Sequence, residues 1–215
     1  RGLSAEGRTL LQGAGAALRL WAERPNRLRV ESFNEQRKVV QCFDGALEPW
    51  LSHSDAAAGA TQRMAPADRK DFLSNADFDG PLVEHRAKGY EVEYAGAESV
   101  AGRPAKKILV MNQANDVFFL WIDDETHEIL RRAVYRMNRG QRILEDTFFS
   151  DFREDGGVLQ PHRIETKVGD NTLYLMVISQ MVPNPEIADE LFAAPKGWPE
   201  LTPEDRPVVT SRPGG

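Results

Sequence analysis

The chain has 215 residues, of which 41% are hydrophobic and 28% charged, with a net charge of −6; that balance is ordinary for a globular protein able to bury a core. The acidic excess leaves no basic footprint for nucleic acid, and an anionic membrane surface would attract the chain poorly. No run of about 18 apolar residues marks a transmembrane helix, and the single cysteine, Cys42, excludes an internal disulfide framework or a multi-cysteine zinc site.

Arg1 rather than Met opens the chain, which reads as a trimmed or a processed end with any signal peptide already out of view. Leu18 to Glu23 alternates apolar with polar, breaks at Arg24-Pro25-Asn26 and resumes over Leu28 to Glu31. Period-two alternation predicts a sheet with one buried face. Asn34-Glu35 reads as a hairpin tip, Lys38 to Phe43 as the return strand, Asp44-Gly45 as a turn, and Trp50-Leu51 as the start of the next strand. Ser52 to Ala65, rich in Ala, Ser and Gly, reads as a loose loop.

The period then changes. Pro66 to Asn75 and Gly80 to Lys88 carry helix formers, with Pro66 and Pro81 near helix starts and Phe72, Leu73, Leu82 and Val83 as their apolar positions. Helices this short must pack on something to be stable. Strands return at Tyr90 to Tyr94, Lys107 to Met111, Val117 to Ile122, Ile129 to Met137, Ile143 to Phe152, Arg163 to Val168 and Leu173 to Val182. Pro183 to Ala194 reads as a short terminal helix or helical turn.

Roughly ten strands joined by short connections predict an up-and-down antiparallel sheet, which twists into a barrel or half-barrel. The expected fold class is mainly β with short helices (α+β), an incomplete antiparallel β-barrel with a helical lid. One domain is expected over residues 1–195, followed by a Pro-rich flexible tail at 196–215. The strands at Val117–Ile122 and Leu173–Ile178 are apolar on both faces, as strands covered on both sides are. A large apolar concavity follows as an expectation.

The run Arg24-Pro25-Asn26-Arg27-Leu28-Arg29-Val30-Glu31, then Phe43-Asp44-Gly45 and Trp50, resembles the outer-membrane lipoprotein-sorting protein family, which includes a periplasmic carrier and an outer-membrane receptor. Val100-Ala101-Gly102-Arg103-Pro104-Ala105, Phe149-Ser150-Asp151-Phe152-Arg153 with Gly156-Gly157 and Pro161, and Asn184-Pro185 to Leu191-Phe192 continue the likeness, which spans about residues 20 to 195. The resemblance implies a hydrophobic half-barrel capped by helices. It also implies that Arg24 fastens the lid to the sheet and that Leu28 and Val30 line the cavity. The early strands look truncated beside the carrier's, with no full N-terminal helix.

An apolar-lined sheet can be a close-packed core or a ligand cavity, and the resemblance favours the cavity. Its expected lining is Leu28, Val30, Trp50, Phe72, Leu82, Val83, Tyr90, Val92, Phe119, Trp121, Tyr135, Phe148, Tyr174 and Met176. Arg24 is either a lid latch or an ordinary strand-end arginine in solvent. His53, His85, His127 and His162 are scattered without metal-ligand spacing, and Asp123-Asp124-Glu125 falls in a turn. Cys42, in an apolar strand, reads as buried and inert. No nucleophile elbow, phosphate loop or paired carboxylates appear, so no enzyme and no cofactor are expected.

The function expected is a periplasmic carrier of lipid or of an acylated lipoprotein, soluble or lipid-anchored in a Gram-negative envelope. The alternative is a protein-interaction or envelope-sensing module that binds an envelope partner through its convex face or a sheet edge.

Overall fold

The computed structural model describes residues 2–11, 13–54, 61–113, 116–138 and 140–201. The strands are β1 (Gly2–Leu11), β2 (Ala14–Glu23), β3 (Arg27–Phe33), β4 (Lys38–Phe43), β5 (Trp50–His53) and β6 (Thr61–Arg63). After the helix α1 (Pro66–Ala76) come β7 (Glu91–Val100), β8 (Arg103–Met111), β9 (Val117–Asp123), β10 (Ile129–Asn138), β11 (Gln141–Asp155), β12 (Val158–Val168) and β13 (Asn171–Pro183). A 3-10 turn at Asp189–Phe192 stands where the sequence suggested a helical turn. All thirteen strands belong to one sheet, in the order β6-β5-β4-β3-β2-β1-β13-β12-β11-β10-β9-β8-β7.

The meander expected from the sequence is therefore present, and the sheet is not closed: β6 and β7 stand at opposite ends of the order. The break falls where α1 and the segment after it interrupt the strands. Chain-end strands β1 and β13 are neighbours inside the sheet, where the Asn184 N–H donates to the Gly2 carbonyl at 2.8 Å and Ser179 Oγ to the Glu6 carbonyl at 3.1 Å.

Three expectations are corrected. Strand structure begins earlier than the alternation suggested: β1 and the first half of β2 precede Leu18, hidden from the sequence because small and polar residues blur their alternation. Gly80 to Lys88 is not a helix but a succession of turns, interrupted by left-handed backbone at Gly80 (φ 70°), Glu84 (φ 52°) and Gly89 (φ 76°). The tail does not begin free at 196. Glu48 N–H donates to the Pro199 carbonyl, Leu201 N–H to the Ala46 carbonyl, and Leu201 is 1% exposed; residues 202–215 lie outside the described residues. Of the loop expected at Ser52 to Ala65, residues 55–60 also lie outside them, and β6 forms just beyond.

The chain divides into two compact units, one of residues 1–8, 15–84 and 179–215, the other of residues 9–14 and 85–178. In the first, opposite rows of the sheet face opposite ways. Leu20, Val30, Gln41 and Leu51 share one row, and Trp21, Arg29, Cys42 and Trp50 the next. The first face packs under α1, where Leu28, Phe43, Phe72, Leu73 and Ala76 form one buried cluster. Pro66 starts α1 without costing a hydrogen bond, and Arg69 ties it to the buried Glu48 at 3.1 Å. The second face packs under the segment around the 3-10 turn, where Val40, Cys42, Trp50 and Phe192 cluster with Trp21, Ile187, Leu191 and Trp198.

Candidate lipid-binding surface

The unit of residues 85–178 carries two faces of different chemistry. Lys107, Trp121, Arg131, Phe148 and Glu165 lie in one row across β8 to β12. Cations and aromatic rings interleave there. Lys107 Nζ stands 5.0 Å from both the Phe119 and Trp121 rings, and the Arg131 guanidinium 4.2 Å from Trp121. The cations are also ion-paired, Lys107 with Glu98 at 2.8 Å and Arg131 with Asp146 at 2.6 Å. The Trp121 indole N–H donates to Glu98 at 2.9 Å. Glu98 is held below the usual carboxylate range by the hydrogen bonds from Lys107 and Trp121. Beneath these contacts Val100, Ala105, Trp121, Leu130 and Ala133 form a buried hydrophobic cluster, with Phe119, Leu144, Phe148 and Phe152 packed against it, so this face is a packed core fringed by ion pairs and cation–π contacts.

One residue along, the chemistry changes. Ile108, Leu120, Arg132, Thr147, Thr166 and Tyr174 form the neighbouring row, flanked by Val110, Phe118 and Val134 on one side and by Phe149, Ile164 and Met176 on the other. Val110 and Leu120 are 0% and 2% exposed. Tyr90 closes on Phe118 edge-to-face at 6.5 Å. Burial pushes the Tyr174 phenol up to about 12. Arg132 lies over the Phe118 ring at 5.0 Å, and Thr147 shares a hydrogen bond with Thr166 at 3.0 Å. Arg132, Thr147 and Thr166, with Glu145 beside Val134 and Lys106 beside Ile122, are the polar positions of a face that is otherwise hydrocarbon. Among the described residues no three His, Cys, Asp or Glu side chains come together as metal ligands would.

The residues singled out in the sequence separate into groups. Tyr90, Val92, Tyr174 and Met176 belong to the apolar face; Phe119, Trp121, Tyr135 and Phe148 stand on the cation–aromatic face behind it. Leu28 and Phe72 sit with Val30 in the cluster under α1, and Trp50 lies on the other side of that unit's sheet. Leu82 and Val83 fall in the turns after α1, Val83 being 40% exposed. Val110, Phe118, Leu120, Phe149 and Ile164 stand on the same face and were not among the expected lining residues. Their signal was in the partners. Trp121 is flanked in register by Lys107 and Arg131, whereas the row through Phe118 is flanked by Val110 and Val134.

Arg24 sits at the tip between β2 and β3, before a cis bond to Pro25. Its Nε and Nη2 donate to Asp79 Oδ1 at 2.8 and 2.7 Å, and its guanidinium lies 4.5 Å from the Phe78 ring. The Phe78 N–H donates to the Pro25 carbonyl at 3.2 Å. The arginine thus fastens the segment leaving α1 to the sheet, a contact suited to a planar fork of donors.

Comparisons with known proteins fit this architecture. The family model described as MucB/RseB N-terminal domain matches residues 20–168. No curated protein matches the sequence. Among solved structures, a DUF1329 family protein from Desulfovibrio piger is similar with a TM-score of 0.66 at 12% identity, over 89% of each chain. A putative outer membrane lipoprotein-sorting protein domain from Vibrio parahaemolyticus gives 0.63 at 10% identity, over 88% of each. A LolA superfamily protein from Nitrosomonas europaea gives 0.61 at 12% identity, over 90% of this chain and 89% of that one. These likenesses show the fold expected from the Arg24-to-Glu31 run and the later motifs, an open antiparallel sheet of the lipoprotein-sorting type. With a match across most of its length, the chain belongs to the MucB/RseB N-terminal domain family.

Proposed function

We propose that this protein is a non-enzymatic periplasmic binding module that holds a lipid, or the acyl chains of a lipoprotein, against the apolar face of residues 85–178. The observation that carries the reading is the set of three adjacent rows through Phe118, Leu120 and Ile164, which are mostly hydrocarbon, with Arg132, Thr147, Thr166 and Glu145 as their polar members. Burial of an acyl chain there is driven by about 0.8 kcal/mol per methylene, so ten methylenes supply a gross ~8 kcal/mol before ordering costs are subtracted. Such binding reads chain length and not headgroup identity, as a carrier requires. Family membership and the lipoprotein-sorting fold support the reading.

In this proposal α1 stays packed on the Leu28 and Val30 face of its own unit, and Arg24 latches the segment after it to the sheet. No described helix is long and apolar enough to cross a membrane. The test is native mass spectrometry and lipid extraction of the purified protein, with titration of a fluorescent fatty acid. Co-purified lipid or micromolar binding is expected. Clean protein that ignores the probe would sink the reading. A second reading, a protein-interaction or envelope-sensing module on the same fold, is favoured by the long exposed edge strand β7.

A further inference from the structure

The sheet ends differently on its two sides. The edge strand β6 has three residues, whereas β7 has ten. Short edges are a usual protection against unwanted pairing. Among the described residues no strand lies outside β7 in the sheet order, and along it every residue but Gly96 and Val100 is exposed. A bulge between Tyr94 and Gly96, with Gly96 in a positive-φ conformation (117°), interrupts the edge. The regular stretch is therefore Glu91–Tyr94.

Along this stretch the two faces differ. Val92 and Tyr94, 36% and 60% exposed, stand beside Val110 and Ile108 on the apolar face, so that the apolar rows run out to the edge without a neighbour to cover them. Glu91 and Glu93 stand on the other face beside Met111 and Leu109, and neither has an ion-pair partner among the described residues. A second β7 laid against the first would set glutamate against glutamate, which destabilises a strand pair. Homotypic pairing is thereby disfavoured, and a strand carrying cations on that face is favoured.

From this edge we infer that β7 is a docking site for an extended segment of a partner protein whose residues alternate apolar and basic. The segment adds as a further strand outside Glu91–Tyr94. Its apolar side chains extend the Val92–Tyr94 face and its lysines or arginines meet Glu91 and Glu93. The open backbone groups supply affinity, and the alternating side chains set register. The inference does not depend on lipid occupying the apolar face.

The full chain is titrated with a synthetic six-residue peptide alternating lysine and valine, its ends blocked. Controls are the same peptide with glutamate for lysine, and two versions N-methylated at alternate residues, which keep charge and shape but lose one set of backbone donors. Binding is read by fluorescence anisotropy and by amide hydrogen exchange. The lysine–valine peptide is expected to slow exchange within Glu91–Tyr94, and one N-methylated register to weaken it at least tenfold. The exposed double variant Glu91→Lys/Glu93→Lys is expected to prefer the glutamate peptide. Equal binding by both N-methylated peptides, equal binding of the glutamate peptide to the unaltered protein, or no protection of β7 up to millimolar peptide overturns the inference. In those cases the glutamates serve only to keep the edge from aggregating.

Discussion

Arg24 and Asp79 lie 55 residues apart in sequence, yet the guanidinium meets the carboxylate through two donors at 2.8 and 2.7 Å. Both side chains are partly open to water, at 45% and 33% exposure, so the pair contributes only about 0–1 kcal/mol to global stability. Its effect is local. Arg24→Ala is expected to lower Tm by less than about 4 °C, while speeding hydrogen exchange across α1 and residues 77–79. Arg24→Lys should behave much like Arg24→Ala, since an ammonium lacks the fork and the flat stacking on Phe78. Uniformly faster exchange through the whole sheet would show a global contact and not a latch.

The two faces of residues 85–178 separate the functional reading from the packing one. Met176→Glu places a charge in the apolar row beside Ile164, and fatty-acid affinity should fall more than tenfold. Tyr135→Glu, at a 43% exposed position on the cation–aromatic face, should leave it unchanged. Fluorescence titration of both variants decides the matter, and equal losses would place the ligand elsewhere.

Phe192 is 1% exposed and packs with Val40, Cys42 and Trp50. Phe192→Ala should destabilise by about 3–5 kcal/mol through the cavity it leaves, measured by urea denaturation. Burial pushes the Cys42 thiol up to about 12, so in the unaltered protein it should resist a thiol reagent at pH 8. Loosening the segment over it should raise the labelling rate at least tenfold.

Asp123 accepts hydrogen bonds from the Thr126 N–H at 2.7 Å and the Glu125 N–H at 3.0 Å, and pairs with Arg103 at 2.8 Å. Chiefly through the Thr126 backbone, its carboxyl is lowered from 3.8 to about 2. A depressed folded value means that the stabilisation is complete above the unfolded value and is lost as pH falls from about 4 towards 2. Asp123→Asn should cost about 1–3 kcal/mol at pH 7 and flatten that acid limb. Denaturation curves at pH 7, 4 and 2.5 provide the check.

Much of the fold was legible because its signals are local. Alternation in Leu28 to Glu31 and in Tyr90 to Tyr94, turn residues such as Asp123 to His127, and Pro66 at a helix start each depend on a few neighbouring residues. Arg24 was legible as a latch candidate through its motif. Its partner was not, because nothing between residues 24 and 79 announces that Asp79 returns to it.

The amino-acid order by itself determined most strands from Leu18 onward, their turns and the helix α1, since a period of two or 3.6 is written into consecutive side chains, but not β1, β6 or the turns of Gly80 to Lys88. It left open which side of Val117–Ile122 faces hydrocarbon, because a strand apolar on both sides carries no parity of its own. Registration with β8 and β10 decided that, setting Phe118 between Val110 and Val134 on one face and Trp121 between Lys107 and Arg131 on the other. Tertiary structure also brought β1 beside β13 and folded the 3-10 segment over Cys42. These contacts join distant parts of the chain, so they are settled by packing and not by local preference.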